Sequence, residues 1–488
     1  MADSWSSNTN AATELKLIGA PPPTDEVFNP EFTYPIFGES ETVFGYTGLR
    51  IQLGFASGSL RTGLKVSYSA KNTSTTAQLD DVEGTLRPFL PPDVVGYDEL
   101  LANLEPAESE WTPIGDKTHE YTWSKKASKG KAKASQFGRA GAAAVAAAAA
   151  AAAGQGSSNG KNGDAKHSAA DERTFVIYRA TWQTPGFREY HRRMQIFALF
   201  NIEAASYLHE DEDNWEFYTL FQRTEAEAEP ADAAPPKYRY HFVGYTALYR
   251  FWCYPEIFRI RLAQFVILPP YQSQGHGPAL FSHVTEQMQS RPEVCELTVE
   301  DPSEAFDRMR DGADLRRLLV PGGFEEQALK EGKLAPPLDT KWSEQQRRKY
   351  KIAGRQWARL IEMFQLRHLN MQDAGAVRRY RLQVKNRLYK FNRDVLTQME
   401  KGERVQALQK TFASLISEEY AEILGIDVGD VVRDDGGFGS GGANPFGRAG
   451  GSSGPRSSLG RHPAIAEGDE EEEEEIDTVR PRKAARLE

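Results

Sequence analysis

The segment Gln272-Ser273-Gln274-Gly275-His276-Gly277 has the residue types and spacing that most clearly suggest chemistry. It directly follows an apolar, strand-like segment and directly precedes a helix-like one. In such a turn the backbone N–H groups point into a shared concavity and the helix N-terminus adds a partial positive charge, so a pyrophosphate can be bound without a lysine. The segment lacks the lysine of a Walker loop and the third glycine of a dinucleotide fingerprint. The competing interpretation is an ordinary tight strand-to-helix turn.

Two carboxylates, Glu300 and Asp301, follow the next predicted strand. A positioned carboxylate can accept a proton as a general base, and clustered carboxylates raise the pKa of one of their members towards the working range. The structural alternative for Glu300-Asp301-Pro302 is a turn that ends the strand, with Asp301 capping the following helix. The residues alone leave both interpretations open.

No other catalytic constellation is indicated by the sequence. The nine histidines include no His-x-x-x-His pair, and Cys253 and Cys295 form no Cys-x-x-Cys motif, so no zinc site is predicted. Asp211 and Asp213 lack the glycine and terminal glutamate of a calcium loop. Both thiols are expected to be buried groups, and two distant cysteines favour a reducing, intracellular environment.

The central block, 174–319, contains the elements that must position these groups. Apolar and β-branched runs predict strands at 175–182, 215–222, 238–251, 259–268 and 294–300. Helical spacing predicts helical structure at 187–206 and 279–289. Strands followed by a glycine loop, a helix and a further strand predict a mixed α/β sheet.

The flanking blocks differ in composition and make the predicted fold class α+β. The first block alternates at Leu49, Ile51, Leu53 and Phe55 between glycine turns, which predicts a small antiparallel sheet with a helix or two, one of them at 97–104. Helical spacing over 343–424 predicts a helical C-terminal domain. The expected boundaries are 12–126 for the N-terminal domain, 172–330 for the central domain and 331–426 for the helical domain.

Two segments are expected to lie outside these domains. Residues 127–171 form a low-complexity insertion rich in Ala, Gly and Ser, to which no function is assigned. Residues 427–488 are predicted to be a disordered tail with an acidic run, Glu467 to Asp477, and a basic cluster, Arg480-Pro481-Arg482-Lys483. The basic cluster matches a nuclear import signal, although such clusters are common by chance.

Composition excludes several classes of protein. A chain of 488 residues with 40% hydrophobic and 26% charged residues has enough material for two or three packed domains and is not a disordered or fibrous protein. A net charge of −10 argues against nucleic-acid binding over the whole surface, and no direct nucleic-acid contact is expected. The polar N-terminus and short apolar stretches predict a soluble protein with no secretion signal and no membrane span.

Several motifs in order resemble the type B histone acetyltransferase catalytic subunits, a family of the GNAT superfamily. The glycine loop fits the Gln/Arg-x-x-Gly-x-Gly/Ala pattern with which N-acetyltransferases hold the pyrophosphate of acetyl-CoA. The other matching segments are Phe37-Gly38-Glu39-Ser40-Glu41-Thr42-Val43-Phe44-Gly45-Tyr46, Asp81-Val82-Glu83-Gly84, Gly186-Phe187-Arg188-Glu189-Tyr190-His191, Val299-Glu300-Asp301-Pro302-Ser303 and Arg378-Arg379-Tyr380-Arg381-Leu382. The resemblance spans about 12–424 apart from the insertion. It implies an N-terminal mixed α/β domain, a central GNAT domain with a mixed sheet, a C-terminal helical domain and a disordered tail.

The resemblance also implies roles for individual residues. Acetyl-CoA would be the co-substrate, with no metal, and Glu300 would be the general base, with Asp301 and Glu203 as neighbouring carboxylates. The residues implied to contact acetyl-CoA are Phe265, Val266, Ile267, Gln272, Ser273, Gln274, Gly275, His276, Gly277, Pro278 and Ser303. Gly312 stands where some relatives carry an arginine, so the resemblance does not establish a cofactor salt bridge at that position.

The substrate side is indicated by acidic and aromatic residues. Acidic residues at 210–213, with Glu39 and Glu41, would suit a groove for a basic peptide, and aromatic walls pack well against lysine stems. The alternative is a set of solvated loops around one core tryptophan. The family positions that contact the histone match Glu39, Ser40, Glu41, Trp215, Tyr249, Arg250 and Phe251.

The activity that the resemblance implies is acetyl transfer from acetyl-CoA to the ε-amine of lysines in the N-terminal tail of newly synthesised histone H4, in chromatin assembly. The implied partners are histone H4 with histone H3 and a WD40-repeat histone-binding subunit, and the implied locations are cytoplasm and nucleus. One alternative is a non-catalytic histone chaperone, although the retention of Glu300 and of an intact loop argues against it. Another is an N-acetyltransferase that acts on other amines, such as protein N-termini or small molecules.

Overall fold

The computed structural model describes residues 5–73, 78–124, 172–226 and 238–432. The predicted insertion at 127–171 and the predicted tail from residue 433 onwards lie outside the described residues. The fold is α+β, as the sequence predicted, with a central mixed sheet and a helical C-terminal region. None of the helices in the four described ranges is both long and apolar enough to span a membrane.

The N-terminal block is built around a small sheet. Its strands are β1 (Ser6–Asn8), β2 (Thr13–Ile18), β3 (Thr42–Phe44), β4 (Tyr46–Thr47), β5 (Arg50–Ala56), β6 (Thr62–Ser67), β7 (Ala70–Lys71) and β8 (Val95–Gly96). The strand order of the sheet is β2-β5-β6-β8, and it is accompanied by the strand pairs β1·β3 and β4·β7. Its helices are α1 (Thr9–Ala12), α2 (Tyr34–Phe37), α3 (Val82–Leu86), α4 (Tyr97–Ala102) and α5 (Leu104–Glu108).

The prediction that this sheet is antiparallel was wrong for two of its three strand pairs. The neighbours β5 and β6 form the expected antiparallel hairpin, whereas β2·β5 and β6·β8 are parallel. The segments 19–49 and 68–94 are long enough to cross over the sheet and return the chain in the same direction. Alternating apolar residues identify the strands but do not determine their partners.

The central block is a six-stranded sheet with helices packed against it. Its elements are β9 (Asp116–Ser124), β10 (Glu172–Thr181), α6 (Phe187–Met194), α7 (Ile196–Asn201), β11 (Trp215–Glu225), β12 (Tyr238–Cys253), β13 (Ile257–Ile267), α8 (His276–Ser290), β14 (Val294–Val299) and α9 (Glu304–Leu318). The strand order is β14-β13-β12-β11-β10-β9, and every pair is antiparallel except β13·β14. The mixed sheet confirms the predicted architecture of this block.

One hydrophobic core joins the N-terminal block to the central sheet. Phe55 of β5 packs against Phe197 of α7 with ring centroids 4.7 Å apart, and Phe197 stacks in turn on Phe242 of β12. The strand β9 ends just before the expected boundary at 126, yet it pairs with β10 as an edge strand of the central sheet. The N-terminal block is therefore a packed wall of the central sheet.

The C-terminal region is helical, as predicted, and has a core of its own. Its helices are α10 (Phe324–Lys330), α11 (Thr340–Tyr350), α12 (Gly354–Arg367), α13 (Ala374–Phe391), α14 (Arg393–Thr397), α15 (Lys401–Ser414), α16 (Ala421–Leu424) and α17 (Gly429–Val432), with a π-helical turn at Leu415–Tyr420. The beginning of the segment predicted as a tail belongs to this domain instead. Val428 and Val431 are buried in its core, and their burial stabilises the last helical turn.

The helix α9 connects the two cores. Ala313 lies in the first core, and Leu315 and Leu318 lie in the second. Asp311 of α9, which is fully buried, forms an ion pair of 2.6 Å with Arg359 of α12. The C-terminal domain is thus attached to the helix that follows the strand end bearing Glu300.

Candidate active site

The strands β13 and β14 separate at the centre of the candidate site. Their parallel pairing runs from Phe258 to Leu262 on β13, and its last contact is a bond of 2.9 Å from the Glu300 N–H to the Leu262 carbonyl. The strand β13 continues through residues 263–267 without β14 beside it. An exposed strand edge offers backbone donors and acceptors to an extended ligand. This opening contains the predicted contacts Phe265, Val266 and Ile267.

The glycine loop presents unused backbone donors at the N-terminus of α8. In the described part of the chain, the backbone N–H groups of residues 273–277 donate to no acceptor, and the first helical bond is the one from Ala279 to Gly275. Ser273 and Gly275 adopt left-handed backbone angles, with φ of 58° and 90°. Five unpartnered N–H groups at the start of a 15-residue helix suit the anionic pyrophosphate of a coenzyme A ester.

The side chains of this loop hold it in place. The Gln272 amide donates to the Ile267 carbonyl (2.8 Å), and the Gln274 amide donates to the Pro270 carbonyl (2.8 Å). The indole N–H of Trp123, on β9, donates to the Gln274 carbonyl at 2.7 Å. The loop therefore offers its backbone to a ligand and uses both glutamine side chains to fix that backbone.

His276 contributes only its backbone to the loop surface. Its ring is buried, lies 4.1 Å from the ring of Phe175, and forms a hydrogen bond of 3.0 Å between Nδ1 and the Tyr121 hydroxyl. Burial lowers the pKa of His276 to about 4, so the ring is neutral at physiological pH. The helix residues Gly277 and Pro278 follow it, and a side chain at Gly277 would meet Phe265 and Ile267 at 3.8 Å.

Glu300 lies at the end of β14, where its side chain is 46% exposed and Oε1 is 3.4 Å from Nη1 of Arg261. Asp301, with φ of 34°, forms the turn that follows. The helix α9 is capped by Ser303, whose hydroxyl accepts a bond of 3.3 Å from the Phe306 N–H. The alternative expectation, in which Asp301 caps this helix, was wrong because the helix begins two residues later than that role requires.

Glu203 lies in an exposed turn after α7 that is attached to the same strand. The Gln264 side chain on β13 donates to the Ser206 carbonyl at 2.9 Å and accepts a hydrogen bond of 2.8 Å from the Tyr245 hydroxyl. Gln264 is buried, and it stands two residues beyond Leu262, the backbone partner of Glu300. The turn with Glu203 and the end of β14 therefore flank one segment of β13.

The predicted aromatic contacts form a continuous wall. Trp215 and Tyr249 have ring centroids 4.8 Å apart, Tyr249 and Phe251 are 4.7 Å apart, and the Arg261 guanidinium lies over the Phe251 ring at 4.5 Å. Arg250 is not part of this wall. Its guanidinium lies over Phe258 at 4.5 Å, because successive residues of a strand project to opposite faces.

A β-bulge brings the polar side chains of β13 to this wall. Arg261 pairs with Tyr249 and Gln264 pairs with Ala247, and the register shifts between these pairs at Ala263. Directly opposed residues on neighbouring strands share a face, as do residues two apart on β12. Arg261 and Gln264 therefore share a face although they are three residues apart, a placement that the extra residue of a bulge makes possible.

The N-terminal block supplies another side of this region. The Glu41 carboxylate accepts bonds from the Thr33 N–H (2.8 Å), the Tyr34 N–H (3.1 Å) and the Asn10 amide (2.7 Å), so it fixes its own loop. Glu39 and Ser40 are exposed on that loop. The Tyr34 hydroxyl accepts from the backbone N–H of Ala204, which places this loop beside the turn with Glu203.

The acidic segment at 210–213 is partly neutralised within the protein. Glu210 forms an ion pair of 2.6 Å with Arg192, and Asp213 accepts a bond of 2.8 Å from the Gln183 amide. Asp311 and Arg310, which precede Gly312, are buried and paired with Arg359 and Asp307. In the four described ranges no group of three or more His, Cys, Asp or Glu side chains could hold a metal ion.

Sequence reasoning missed Arg261, Gln264 and Tyr245. The available signal was an arginine and a glutamine in a strand that is otherwise largely apolar. Polar residues at a spacing of three do not share a face of a regular strand, so the alternation rule gave no reason to combine them. Only the bulge and the cross-strand pairing reveal that Arg261 and Gln264 share a face.

Known proteins resemble this chain over most of its length. The family model described as histone acetyl transferase HAT1 N-terminus matches residues 5–203, and the model described as fungal HAT1, C-terminal, matches residues 311–370. The chain is 49% identical over 446 residues to the histone acetyltransferase type B catalytic subunit of Mycosarcoma maydis, covering 90% of this chain and 92% of the relative.

Two further relatives with the same description are less similar in sequence to this chain. The protein of Cryptococcus neoformans is 43% identical over 440 residues, covering 88% of this chain and 99% of the relative. The mouse protein is 31% identical over 409 residues, covering 82% of this chain and 85% of the relative. The similarity thus spans the N-terminal block, the central sheet and the helical domain, and the chain belongs to the family of type B histone acetyltransferase catalytic subunits.

Proposed function

We propose that this protein transfers the acetyl group of acetyl-CoA to the ε-amine of lysines in the N-terminal tail of newly synthesised histone H4. The observation that carries the proposal is the opening between β13 and β14. A loop with five unpartnered N–H groups lies beyond the far end of β13 in this opening, and a half-exposed carboxylate, Glu300, stands where β14 ends. Family membership supports the same activity.

Acetyl-CoA supplies the acetyl group as an activated thioester. The backbone N–H groups of residues 273–277 would bind its pyrophosphate, and the free edge of β13 at Phe265 to Ile267 would bind the amides of its pantetheine arm. Ser303, the predicted further contact, caps α9 three residues after Glu300. These groups hold and orient the donor, which lowers the entropic part of the barrier.

A lysine ammonium must lose a proton before its nitrogen can attack. Glu300 takes that proton directly or through a water: an N–H bond breaks, an O–H bond forms on the carboxylate, and the electron pair stays on nitrogen. Asp301, the next residue in the chain, and Glu203 would receive or share the proton. The wall of Trp215, Tyr249 and Phe251 would pack against the aliphatic lysine stem.

The partners and the location that we propose rest on the resemblance to the same family. We infer a heterodimer with a WD40-repeat histone-binding subunit that carries histones H3 and H4, and work in both cytoplasm and nucleus. The "catalytic subunit" in the name of the relatives supports an assembly with a second subunit. Affinity purification of the tagged chain, followed by identification of stoichiometric partners, tests the assembly.

The activity is tested with labelled acetyl-CoA and a histone H4 tail peptide, using the native chain, Glu300→Gln and Glu304→Gln. Glu304 is an exposed carboxylate four residues away, in the first turn of α9, and serves as the matched control. Loss of a positioned base is expected to lower the rate of transfer by at least about 100-fold in Glu300→Gln. The control variant should keep native activity, and a peptide with arginine in place of lysine should receive no label.

The two alternatives give different results in the same assay. Binding of the peptide without any transfer, with the partner subunit present, would indicate a histone chaperone. Transfer to a free N-terminal amine in preference to internal lysines would indicate an N-acetyltransferase of other specificity. If Glu300→Gln stays fully active, the base is Asp301 or Glu203.

A further inference from the structure

We propose that Arg261 is a positioning residue that orients the Glu300 carboxylate and couples it to the aromatic wall. The inference rests on the proposed function, since it concerns the proton acceptor of that reaction. It is carried by the contacts of Arg261 on two sides. Nη1 lies 3.4 Å from Glu300 Oε1, and the guanidinium lies over the Phe251 ring at 4.5 Å.

The contact between Arg261 and Glu300 is long enough to orient the carboxylate without binding it tightly. Tight charge-assisted N–H···O bonds measure about 2.7–2.9 Å, so a contact of 3.4 Å leaves the carboxylate able to accept a proton. The two side chains are 26% and 46% exposed, so a substrate can reach the carboxylate. A lysine ammonium that approaches Glu300 competes with Arg261 for the same oxygen. Because the contact with Arg261 is long, displacing the guanidinium costs little free energy.

The neighbouring ion pair between β13 and β14, formed by Arg259 and Glu296, differs from the contact between Arg261 and Glu300. Arg259, two residues earlier on β13, bonds Glu296 at 2.7 Å, and Glu296 accepts a second bond of 2.7 Å from Arg347 of α11. Glu296 is 13% exposed, and its oxygens are committed to these two guanidinium groups. This pair joins the sheet to the helical domain. Arg259 therefore provides a control with the same charge, strand and face as Arg261.

Phe251 fixes the other side of the guanidinium. A cation over an aromatic face is attracted by the ring quadrupole, so the ring limits the positions that the Arg261 head can take. Phe251 itself packs on Tyr249, which packs on Trp215. The side chains that would receive the lysine stem are thus in continuous contact with the group that orients the carboxylate.

The test compares Arg261→Gln, Arg261→Lys and Arg259→Gln by steady-state kinetics with the H4 tail peptide. A misplaced base costs about 10- to 100-fold, so Arg261→Gln should lower kcat by that factor while KM for acetyl-CoA stays within about twofold. Arg261→Lys keeps a positive charge near Glu300 and should recover part of the loss. Arg259→Gln should keep native kcat even if its thermal midpoint falls.

A double substitution separates positioning from a purely structural role. If Arg261 acts through Glu300, adding Arg261→Gln to Glu300→Gln should lower kcat no further, because the two residues act as a unit. The inference would be overturned if the effects of the two substitutions on kcat multiply, if Arg261→Gln keeps native kcat, or if Arg259→Gln loses as much kcat as Arg261→Gln. A native chain that transfers nothing would instead refute the proposed function, and with it this role.

Discussion

Two carboxylates of the central sheet, Glu216 and Glu300, have surroundings that suit different tasks. The Glu216 side chain is 15% exposed and accepts bonds from Arg179 (2.8 Å) and Arg291 (2.7 Å). Burial would raise the pKa of Glu216, but the hydrogen bonds and charges of Arg291 and Arg179 outweigh it and lower the pKa to about 2. Glu216 therefore joins the segment after α8 to the sheet, whereas the half-exposed Glu300 is accessible to a substrate.

Replacement of Glu216 by glutamine should destabilise the protein in a pH-dependent way. Breaking a buried pair by removing one partner costs about 3–5 kcal/mol, so the free energy of unfolding at pH 7 should fall by roughly that amount. The pKa of Glu216 is lower in the folded chain than in the unfolded chain. The stabilisation is therefore complete above the ordinary value of 4.5 and is lost as the pH falls towards 2.

Urea unfolding of the native chain and Glu216→Gln at a series of pH values measures this effect. The difference between the two proteins should be largest near pH 7 and should shrink steadily below about pH 4.5. Lys65→Gln, which removes an exposed ion pair with Asp98, is the control and should change stability by less than about 1 kcal/mol. A difference between native and Glu216→Gln that does not vary with pH would contradict the assignment.

The elements of the site could be predicted where the sequence of a single segment determines them. The glycine spacing identified the loop before α8, and alternation located β13 and β14 to within about two residues. Pairing depends on distant segments, so the sequence did not reveal the parallel pairs of the N-terminal block, the bulge at Ala263 or the contact between Arg261 and Glu300. Helix α8 begins three residues before its predicted start, because Gly275 is its N-cap and His276 is its first residue.

At the level of elements, Gln264 holds the turn with Glu203 against β13. Gln264→Leu would leave the buried Tyr245 hydroxyl without its acceptor, at a cost of about 1–3 kcal/mol, and would remove the bond to the Ser206 carbonyl, which belongs to an exposed residue and can be solvated. The loosened turn should raise KM for the histone peptide, while KM for acetyl-CoA stays unchanged. Tyr245→Phe removes only one of the two bonds and should leave the peptide KM close to native. Equal changes in both KM values would contradict this role.

At the scale of the whole molecule, the helical domain supports the strand that carries Glu300. The Leu297 N–H of β14 donates to the Lys351 carbonyl at 3.0 Å, and Arg347 bonds Glu296 of the same strand. Asp311 of α9 is held by Arg359 and also accepts a bond of 3.0 Å from the Gln356 amide. Both ends of the segment 294–318 are therefore in contact with the C-terminal helices.

The buried ion pair between Arg359 and Asp311 allows this coupling to be measured. Arg359→Met leaves a fully buried carboxylate without its counter-ion and should lower the free energy of unfolding by about 3–5 kcal/mol. The double substitution Arg359→Met with Asp311→Leu removes both charges, and Glu419, the other partner of Arg359, is 41% exposed and can be solvated. The double variant should therefore be more stable than Arg359→Met.

Hydrogen exchange of residues 294–303 in these variants, measured together with thermal unfolding, shows whether the loss of stability extends to the active-site strand. Exchange there should be faster in Arg359→Met than in the native chain, because α9 is anchored less firmly and the strand end beside it opens more often. The double variant should restore part of the protection. If Arg359→Met unfolds at a lower temperature while exchange at 294–303 is unchanged, the helical domain stabilises the chain without supporting the active-site strand.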